Sequence, residues 1–574
     1  MNEDSIGMTK PLITLYPYQE KHVKRLKRIL EKSPFALDLS MLGTGKTYTT
    51  TRIASDLAIG NIIVIAPAAI KSKWNALQHT YETPPIECLS FCELRSSKCK
   101  QPRHGLLNRR DYKRTVTMQS EQRIVDCCDF TPTAKLKQLV QDGVLLVIDE
   151  IQNIKNLTSQ FHACRALINA VMQPHATEPM GGIKSRVLLL SGSPIDKEVH
   201  AVHLLKGLGI MTSEKLADYS VYHGTYDYPG LSEIVQFCQR LDPKNPLLAD
   251  YEIILHQNLD NYCCVDYVYL LFQGIIKKRL SREMPRAALP KGVDITKRNG
   301  FFNIHRLGDR ELLGAGVQGL SKASSYNALE HTVNFGTDAA ATMSAIQSAL
   351  IKIETAKIET FVRLARKHLD DRPTSKVIIC VNYRATVTDL MRELNDLNPC
   401  ALEGRMPSKQ REISHRKFQS PTLENRLLIS NLTVCSTGID LDDKVGSFPR
   451  IMLVSPMFNT ITLYQLCHRL MRMDTKSCSE VFMVYGKNTK QHPCITENRI
   501  IDALSKKSTV MKETTNKQFA MGVVFPGDYE DWTEDDPDPA VYEEDLALAD
   551  VTLENTTSTK TNENNDNNKN EGDC

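Results

Sequence analysis

Two groups of residues in this sequence have the types and spacing needed to handle a triphosphate. The first is Ser40-Met-Leu-Gly-Thr-Gly-Lys-Thr47, which follows the apolar run Phe35–Leu39 and opens a helical stretch, Thr47–Ala58. Glycines at 43 and 45 let backbone N–H groups turn toward phosphate oxygens, and the helix N-terminus adds a favourable dipole. Leu42, Gly43, Thr44 and Gly45 would form the cradle. Lys46 would reach the β- and γ-phosphates, and Thr47 would offer its hydroxyl to Mg²⁺. The full phosphate-loop pattern wants a glycine where this chain has Ser40, so the match is to the Gly-x-Gly-Lys-Thr half. The second group is Val144-Leu-Leu-Val-Ile-Asp-Glu150, an apolar run ending in two carboxylates. Asp149 is placed to hold Mg²⁺, and Glu150 to orient or deprotonate an attacking water. Exposed acids at a strand end would look the same in isolation; their place downstream of the loop favours the chemical reading.

A third group lies more than 300 residues further on. Gln465, Arg469 and Arg472 fall at i, i+4 and i+7, which on a helix is one face. Two guanidinium groups pointing across a cleft would spread the charge of a phosphoryl-transfer transition state, an effect worth about 10³–10⁵ in rate. A solvated basic helix face is the alternative.

The elements that must position these residues follow from periodicity. Short apolar runs at Phe35–Leu39, Asn61–Ala66, Val144–Ile148 and Arg186–Leu190 read as buried parallel strands. A second set occurs at Lys376–Val381, Arg426–Ser430, Arg450–Val454 and Val481–Tyr485. The expectation is an α/β protein with two parallel-sheet lobes. Residues 1–10 form an arm, 11–210 the first lobe, 211–334 a helical insertion and basic linker, 335–505 the second lobe, and 506–574 an extension. From Gly527 the chain holds 16 acidic residues against 2 lysines, and it is rich in Asn and Thr; disorder is expected there. The rest carries 69 Lys+Arg against 52 Asp+Glu. A basic body suits a polyanion partner, although excess lysine also serves solubility. No run of 18 apolar residues and no N-terminal signal pattern is present, so an intracellular protein in cytoplasm or nucleus, with no membrane partner, is expected.

Taken in order, the motifs resemble those of superfamily 2 helicases, and among them the Swi/Snf-like ATPases, over residues 11–500. Leu15-Tyr-Pro-Tyr-Gln19 is similar to the opening element in which glutamine reads adenine, which makes Gln19 an ATP contact with Gln465. Val64-Ile-Ala-Pro67 with Lys71 and Trp74 resembles motif Ia, near the nucleic-acid backbone. Asp149-Glu-Ile-Gln152 occupies the DExx box, with Gln152 where this group usually has histidine. Ser191-Gly-Ser-Pro194 resembles motif III and keeps both hydroxyls, Ser191 and Ser193. Lys277-Lys-Arg-Leu280 with Leu289-Pro-Lys291 resembles the basic segment leading into lobe two. Val377–Asn382 resembles motif IV, Glu403-Gly404 with Arg411 and Phe418 the stretch after it, Ser436-Thr-Gly-Ile-Asp-Leu441 motif V, and Gln465–Arg472 motif VI.

The resemblance implies two RecA-like lobes clamping ATP with Mg²⁺. Coupling would run through Gln152, Ser191, Ser193, Gly438 and Asp440. Nucleic acid, DNA before RNA, would be gripped by Pro67, Lys71, Asn382, Ser436 and Thr437. Compact size without reader domains resembles the helicase-like ATPases of nucleocytoplasmic large DNA viruses, so transcription or replication machinery is an expected partner. A DNA translocase leads; an RNA helicase, a transcript-releasing ATPase and a scaffold with a decayed ATP site remain open. Elsewhere, Cys88, Cys92, Cys99 and His104 allow either a zinc cluster of non-standard spacing or free thiols. The scattered cysteines fit a reducing compartment. Tyr16 and Tyr18 are candidates to stack on adenine, and His468 to touch ATP or the opposite lobe.

Overall fold

A computed structural model describes residues 10–95, 104–118, 121–176, 184–284, 293, 295–329, 337–472, 474–490, 494–514 and 530–532. Two parallel sheets organise it. The first contains β1 (Phe35–Asp38), β2 (Asn61–Ala66), β3 (Ile86–Ser90), β4 (Val144–Asp149), β5 (Arg186–Leu190) and β6 (Ser281–Arg282), in the order β6-β1-β5-β4-β2-β3. Its central strands are buried along their whole length. Continuous burial is why they read as unbroken apolar runs rather than alternating ones. Because β1 and β4 are both interior strands running the same way, Asp38 and Asp149 end at one edge of the sheet, where the functional loops leave.

The second sheet contains β7 (Ile295–Asn303), β8 (Lys376–Val381), β9 (Cys400–Leu402), β10 (Leu427–Asn431), β11 (Arg450–Val454), β12 (Ser479–Asn488), β13 (Ile495–Thr496) and β14 (Glu530–Trp532). The order is β9-β10-β8-β11-β12-β7-β14, with β13 antiparallel to β12. Two strands depart from the expected layout. β7 lies in the stretch assigned to the linker. Its sequence, Ile-Thr-Lys-Arg-Asn-Gly-Phe-Phe-Asn, is too polar to announce a strand, yet it pairs with β12 along nine residues. β14 lies within the acidic tail and pairs with Arg298–Gly300; the rest of that tail is outside the described residues.

The segment between the lobes is divided. Helices Pro229–Leu241, Asp250–Gln257 and Asn261–Leu271 contribute Leu231, Ile234, Cys238, Ile254, Cys264 and Val268 to the first core. Cys264 is thus a buried small apolar residue, while its neighbour Cys263 is partly exposed. Helices Leu307–Leu329 and Thr337–Thr355 join the second core through Leu313, Leu320, Ala349 and Ile353. The helix Asn498–Thr514 spans both lobes: Ile500 and Leu504 sit in the second core, and Val510 in the first. No helix among the described residues is long and apolar enough to cross a membrane.

Candidate active site between the lobes

The loop after β1 leads into the helix Lys46–Asp56, so Lys46 stands at a helix N-terminus. Gly43 and Gly45 adopt φ of +81° and +92°, a left-handed backbone that favours glycine. Gly45 is doubly required, because a Cβ there would lie 2.2 Å from Gln19 Nε2. Gln19 sits in the first turn of helix Pro17–Leu30. Its amide donates to Thr44 O at 2.9 Å, and its Oε1 accepts from the N–H of Tyr16 at 3.0 Å. The glutamine therefore fixes the loop from behind. Thr44 Oγ1 donates to Met41 O, and the Lys46 ammonium donates to Ser40 O and Met41 O at 2.8 and 3.0 Å. Thr47 follows on the same turn. Tyr16 is exposed, stacked on Tyr18, whose hydroxyl donates toward Thr44 O.

Asp149 closes β4 and is buried. Its Oδ2 accepts the indole N–H of Trp74 at 3.0 Å. Burial and the adjacent Glu150 push the Asp149 carboxyl up to about 7, against the opposing pull of Trp74 and Lys46. Glu150 has φ +63°, a left-handed conformation unusual for a residue with a side chain and of the kind that clusters at functional sites. That backbone turns its carboxylate into the cleft. There Oε2 accepts from Gln152 Nε2 at 2.6 Å and from Gln465 Nε2 at 3.1 Å. Gln152 Oε1 accepts from Ser191 Oγ at 2.7 Å, and Ser191 Oγ accepts the N–H of Ser193 at 2.9 Å. A continuous chain, Ser193–Ser191–Gln152–Glu150–Gln465, crosses from one lobe to the other.

The second-lobe side departs from the expected geometry. The helix carrying Gln465 spans Thr460–Cys467 only; His468–Leu470 is a 3₁₀ turn and Met471 is extended. Gln465, Arg469 and Arg472 therefore do not share one helical face. Tertiary contacts accompany the break: Arg469 O is taken by the N–H of Leu441, 28 residues earlier, and Arg472 N–H by Thr475 Oγ1. The arginines still reach the cleft. Arg469 is buried and donates from Nε and Nη2 to Ser436 O. Burial, then the neighbouring Arg472, lowers its guanidinium to about 10, while Glu150 and Asp440 favour the charged form. Arg472 Nε donates to Asp440 Oδ1 at 2.9 Å. Its Cδ comes within 3.6 Å of where a Cβ on Gly43 would sit. Gly438, at φ +70°, abuts Ala69, leaving no room for a side chain. His468 is buried, with Nδ1 against Tyr464 O.

Pro67, Glu150, Ser436, Thr437, Gln465 and Arg469 line one cavity of about 300 Å³ between the lobes. Asn382 lines a neighbouring cavity of about 430 Å³ with Lys155 and Lys507. The Asn382 amide is held by Glu354 Oε2 and Ser455 O, and Lys71 is paired with Glu93 at 2.7 Å. Both are engaged by other side chains in this conformation, Lys71 at the surface.

Three participants have contacts that sequence reading does not reach. Trp74 is legible only as part of the motif Ia resemblance, and its bond to Asp149 joins residues 75 apart. Lys73, one residue earlier, faces Asp440 and both arginines; burial first, then those cations, lowers its ammonium. Met511 is fully buried against Leu42, Ile461 and Tyr464. The zinc alternative finds no support among the described residues, where no three or more His, Cys, Asp or Glu side chains gather to hold an ion. His104 has both ring nitrogens engaged, Nδ1 by Leu106 N–H and Nε2 at Leu94 O, and Cys99 lies outside the described residues.

Comparison with known proteins places this geometry. Residues 356–474 match the helicase conserved C-terminal domain. Over 467 residues, 81% of this chain and 77% of the relative, the sequence is 22% identical to a protein of Acanthamoeba polyphaga mimivirus provisionally named ATP-dependent RNA helicase L364. The second lobe thus carries the sequence pattern of a helicase conserved C-terminal domain. The viral relative agrees with the resemblance to large-DNA-virus ATPases. Among solved structures, the chain is 14% identical to the Sulfolobus solfataricus SWI2/SNF2 ATPase core in complex with dsDNA, covering 91% of this chain and 99% of that one at a TM-score of 0.29. It is also 14% identical to the Pyrococcus furiosus Hef helicase domain, covering 83% and 96% at a TM-score of 0.35.

Proposed function

We propose that this protein hydrolyses ATP between its lobes and uses the cycle of lobe closure to move along DNA. One observation carries the reading: Arg472 lies against the Gly43 loop while Arg469 shares a cavity with Glu150, so the second lobe sets one arginine beside each of the two first-lobe groups.

The roles follow from chemistry. Backbone N–H groups of Leu42–Thr47 and the Lys46 ammonium bind the phosphates. Glu150, oriented by Gln152 and Gln465, positions the attacking water and accepts its proton. Arg469 and Arg472 neutralise charge on the transferring phosphoryl group. The residues present fit a magnesium ion: Asp149 is a buried carboxylate crowded by Glu150, an environment short of positive charge, and Thr47 offers a hydroxyl. Bound there, Mg²⁺ would supply the charge neutralisation that the phosphates need. Gln152, Ser191 and Ser193 report the state of Glu150 to the first lobe's nucleic-acid side, and Gly438 and Asp440 do so for the second. Pro67, Lys71, Asn382, Ser436 and Thr437 grip the sugar-phosphate backbone, contacts that carry little sequence information.

The Swi/Snf-like order of motifs supports translocation on DNA over strand separation. The name of the mimivirus relative favours an RNA-directed helicase as the second reading. Intact Lys46, Glu150 and both arginines argue against a decayed scaffold. Phosphate release measured with single-stranded DNA, duplex DNA and RNA decides among them. Strong stimulation by duplex DNA without displacement of an annealed strand supports the translocase; stimulation by RNA alone moves the assignment to the second reading.

A further inference from the structure

Ser40, where the phosphate loop departs from its glycine pattern, is also where that loop meets the chain leaving the first lobe. Ser40 is fully buried. Its hydroxyl donates to Asp38 Oδ1 and accepts the N–H of Met284 at 2.8 Å. Asp38 is itself fully buried, accepts the Ser40 N–H at 3.0 Å, and has His22 Nε2 2.9 Å from its other oxygen. An ionised carboxylate has no hydrogen to give. The Ser40 proton must therefore point at Asp38, which leaves the hydroxyl lone pairs for Met284. The carbonyl of the same serine accepts from the Lys46 ammonium at 2.8 Å. On the far side, Ser281–Arg282 is zipped onto β1, with Leu39 N–H donating to Arg282 O. Met284 lies two residues beyond Arg282, and the next strand in chain order is β7 of the second sheet.

We propose that Ser40 is a positioning residue that ties the interlobe linker to Lys46, so that movement of the second lobe is felt at the phosphates. Two hydrogen bonds meet on one residue: the linker holds its side chain, and the catalytic lysine holds its carbonyl. The buried His22–Asp38 pair fixes the hydroxyl in the orientation the tie needs. This inference rests on the motor reading above.

The test uses full-length protein carrying Ser40→Ala, Ser40→Thr, Met284→Pro, and Ser40→Ala with Met284→Pro. Thermal unfolding and binding of a fluorescent ATP analogue accompany each turnover measurement. Ser40→Ala is expected to bind the analogue within about 2-fold of the parent yet lose about 10-fold of polymer-stimulated turnover, the scale of one buried hydrogen bond. Ser40→Thr keeps the hydroxyl and should keep turnover. Met284→Pro removes the same bond from the other side, so the double variant should be no slower than either single one. Nucleotide affinity and turnover falling together, or losses that multiply in the double variant, would overturn the proposal. If Met284→Pro does not fold, the contrast between Ser40→Ala and Ser40→Thr decides alone, and equal losses in both overturn it. A parent protein indifferent to every polymer sinks the motor reading instead; the tie is then judged on basal turnover by the same comparisons.

Discussion

Gln465 of the second lobe donates its amide hydrogen to the carboxylate of Glu150 in the first, Nε2 to Oε2 at 3.1 Å. With Glu150 as the proposed water-positioning acid, this contact would make it sensitive to whether the lobes are together. Open lobes would leave Glu150 with Gln152 alone.

Glu150→Gln should therefore abolish phosphate release while retaining ATP binding, and Gln465→Ala should lower turnover by about 10–100-fold, the range of a lost orienting contact to a general base. Steady-state phosphate release with a parallel nucleotide-binding titration checks both. Gln465→Ala turning over like the parent would show the contact to be incidental.

How far the sequence reveals this site depends on how local the cause is. The phosphate loop is legible because β1, the two glycines and the helix start are consecutive, and each leaves its own mark in residue type. Asp149 and Glu150 are legible for the same reason, at the tip of an apolar strand. The arginines are legible as residues but not as geometry. Nothing near Arg469 announces that Leu441 will take its carbonyl and end the helix at Cys467. Trp74 and Asp149 meet only after β2 and β4 pair. β7 hides because a strand between two others can be polar where its faces are only half covered, and its burial is indeed intermediate over its first four residues.

Trp74 sets a pH dependence. Its N–H stabilises the ionised form of Asp149 and so opposes the upward push of burial and Glu150. Trp74→Phe removes that donor, so the Asp149 pKa rises further above about 7 and less carboxylate is ionised at neutral pH. Mg²⁺ would have to displace that extra proton, so at limiting Mg²⁺ the acidic limb of the turnover–pH profile should move to higher pH, with activity recovering on the alkaline side. An unmoved limb with a uniformly lower rate would assign Trp74 to packing alone.

The raised Asp149 pKa also bears on stability. A carboxyl whose folded pKa exceeds its unfolded value binds more protons when folded, so its contribution is present at acid pH and fades as pH rises through about 7. In metal-free solution, Asp149→Asn should flatten the fall in stability between pH 5 and 8 that the parent shows, as read by urea unfolding across pH. A fall of equal size in both proteins would place its origin elsewhere.

The helix Asn498–Thr514 gives a mechanical prediction. Met511 is fully buried against Leu42 of the phosphate loop and Ile461 and Tyr464 of the second lobe, while Tyr269 donates to Glu513 at 3.0 Å. Met511→Ala should cost about 2–5 kcal/mol, the usual range for emptying a buried methionine site. Urea unfolding followed by tryptophan fluorescence measures it. A cost below about 0.5 kcal/mol, the level of surface changes, would mean that the helix does not brace the two lobes.

The central claim is that the phosphate loop and two distant arginines act on one triphosphate. Its most direct test is single-turnover hydrolysis of ATP by Arg469→Ala and Arg472→Ala, with duplex DNA present and nucleotide binding confirmed for each. Both variants are predicted to bind ATP and to lose about 10³-fold or more in the hydrolysis step, as arginine fingers do. Hydrolysis within a few-fold of the parent in both variants would contradict the account.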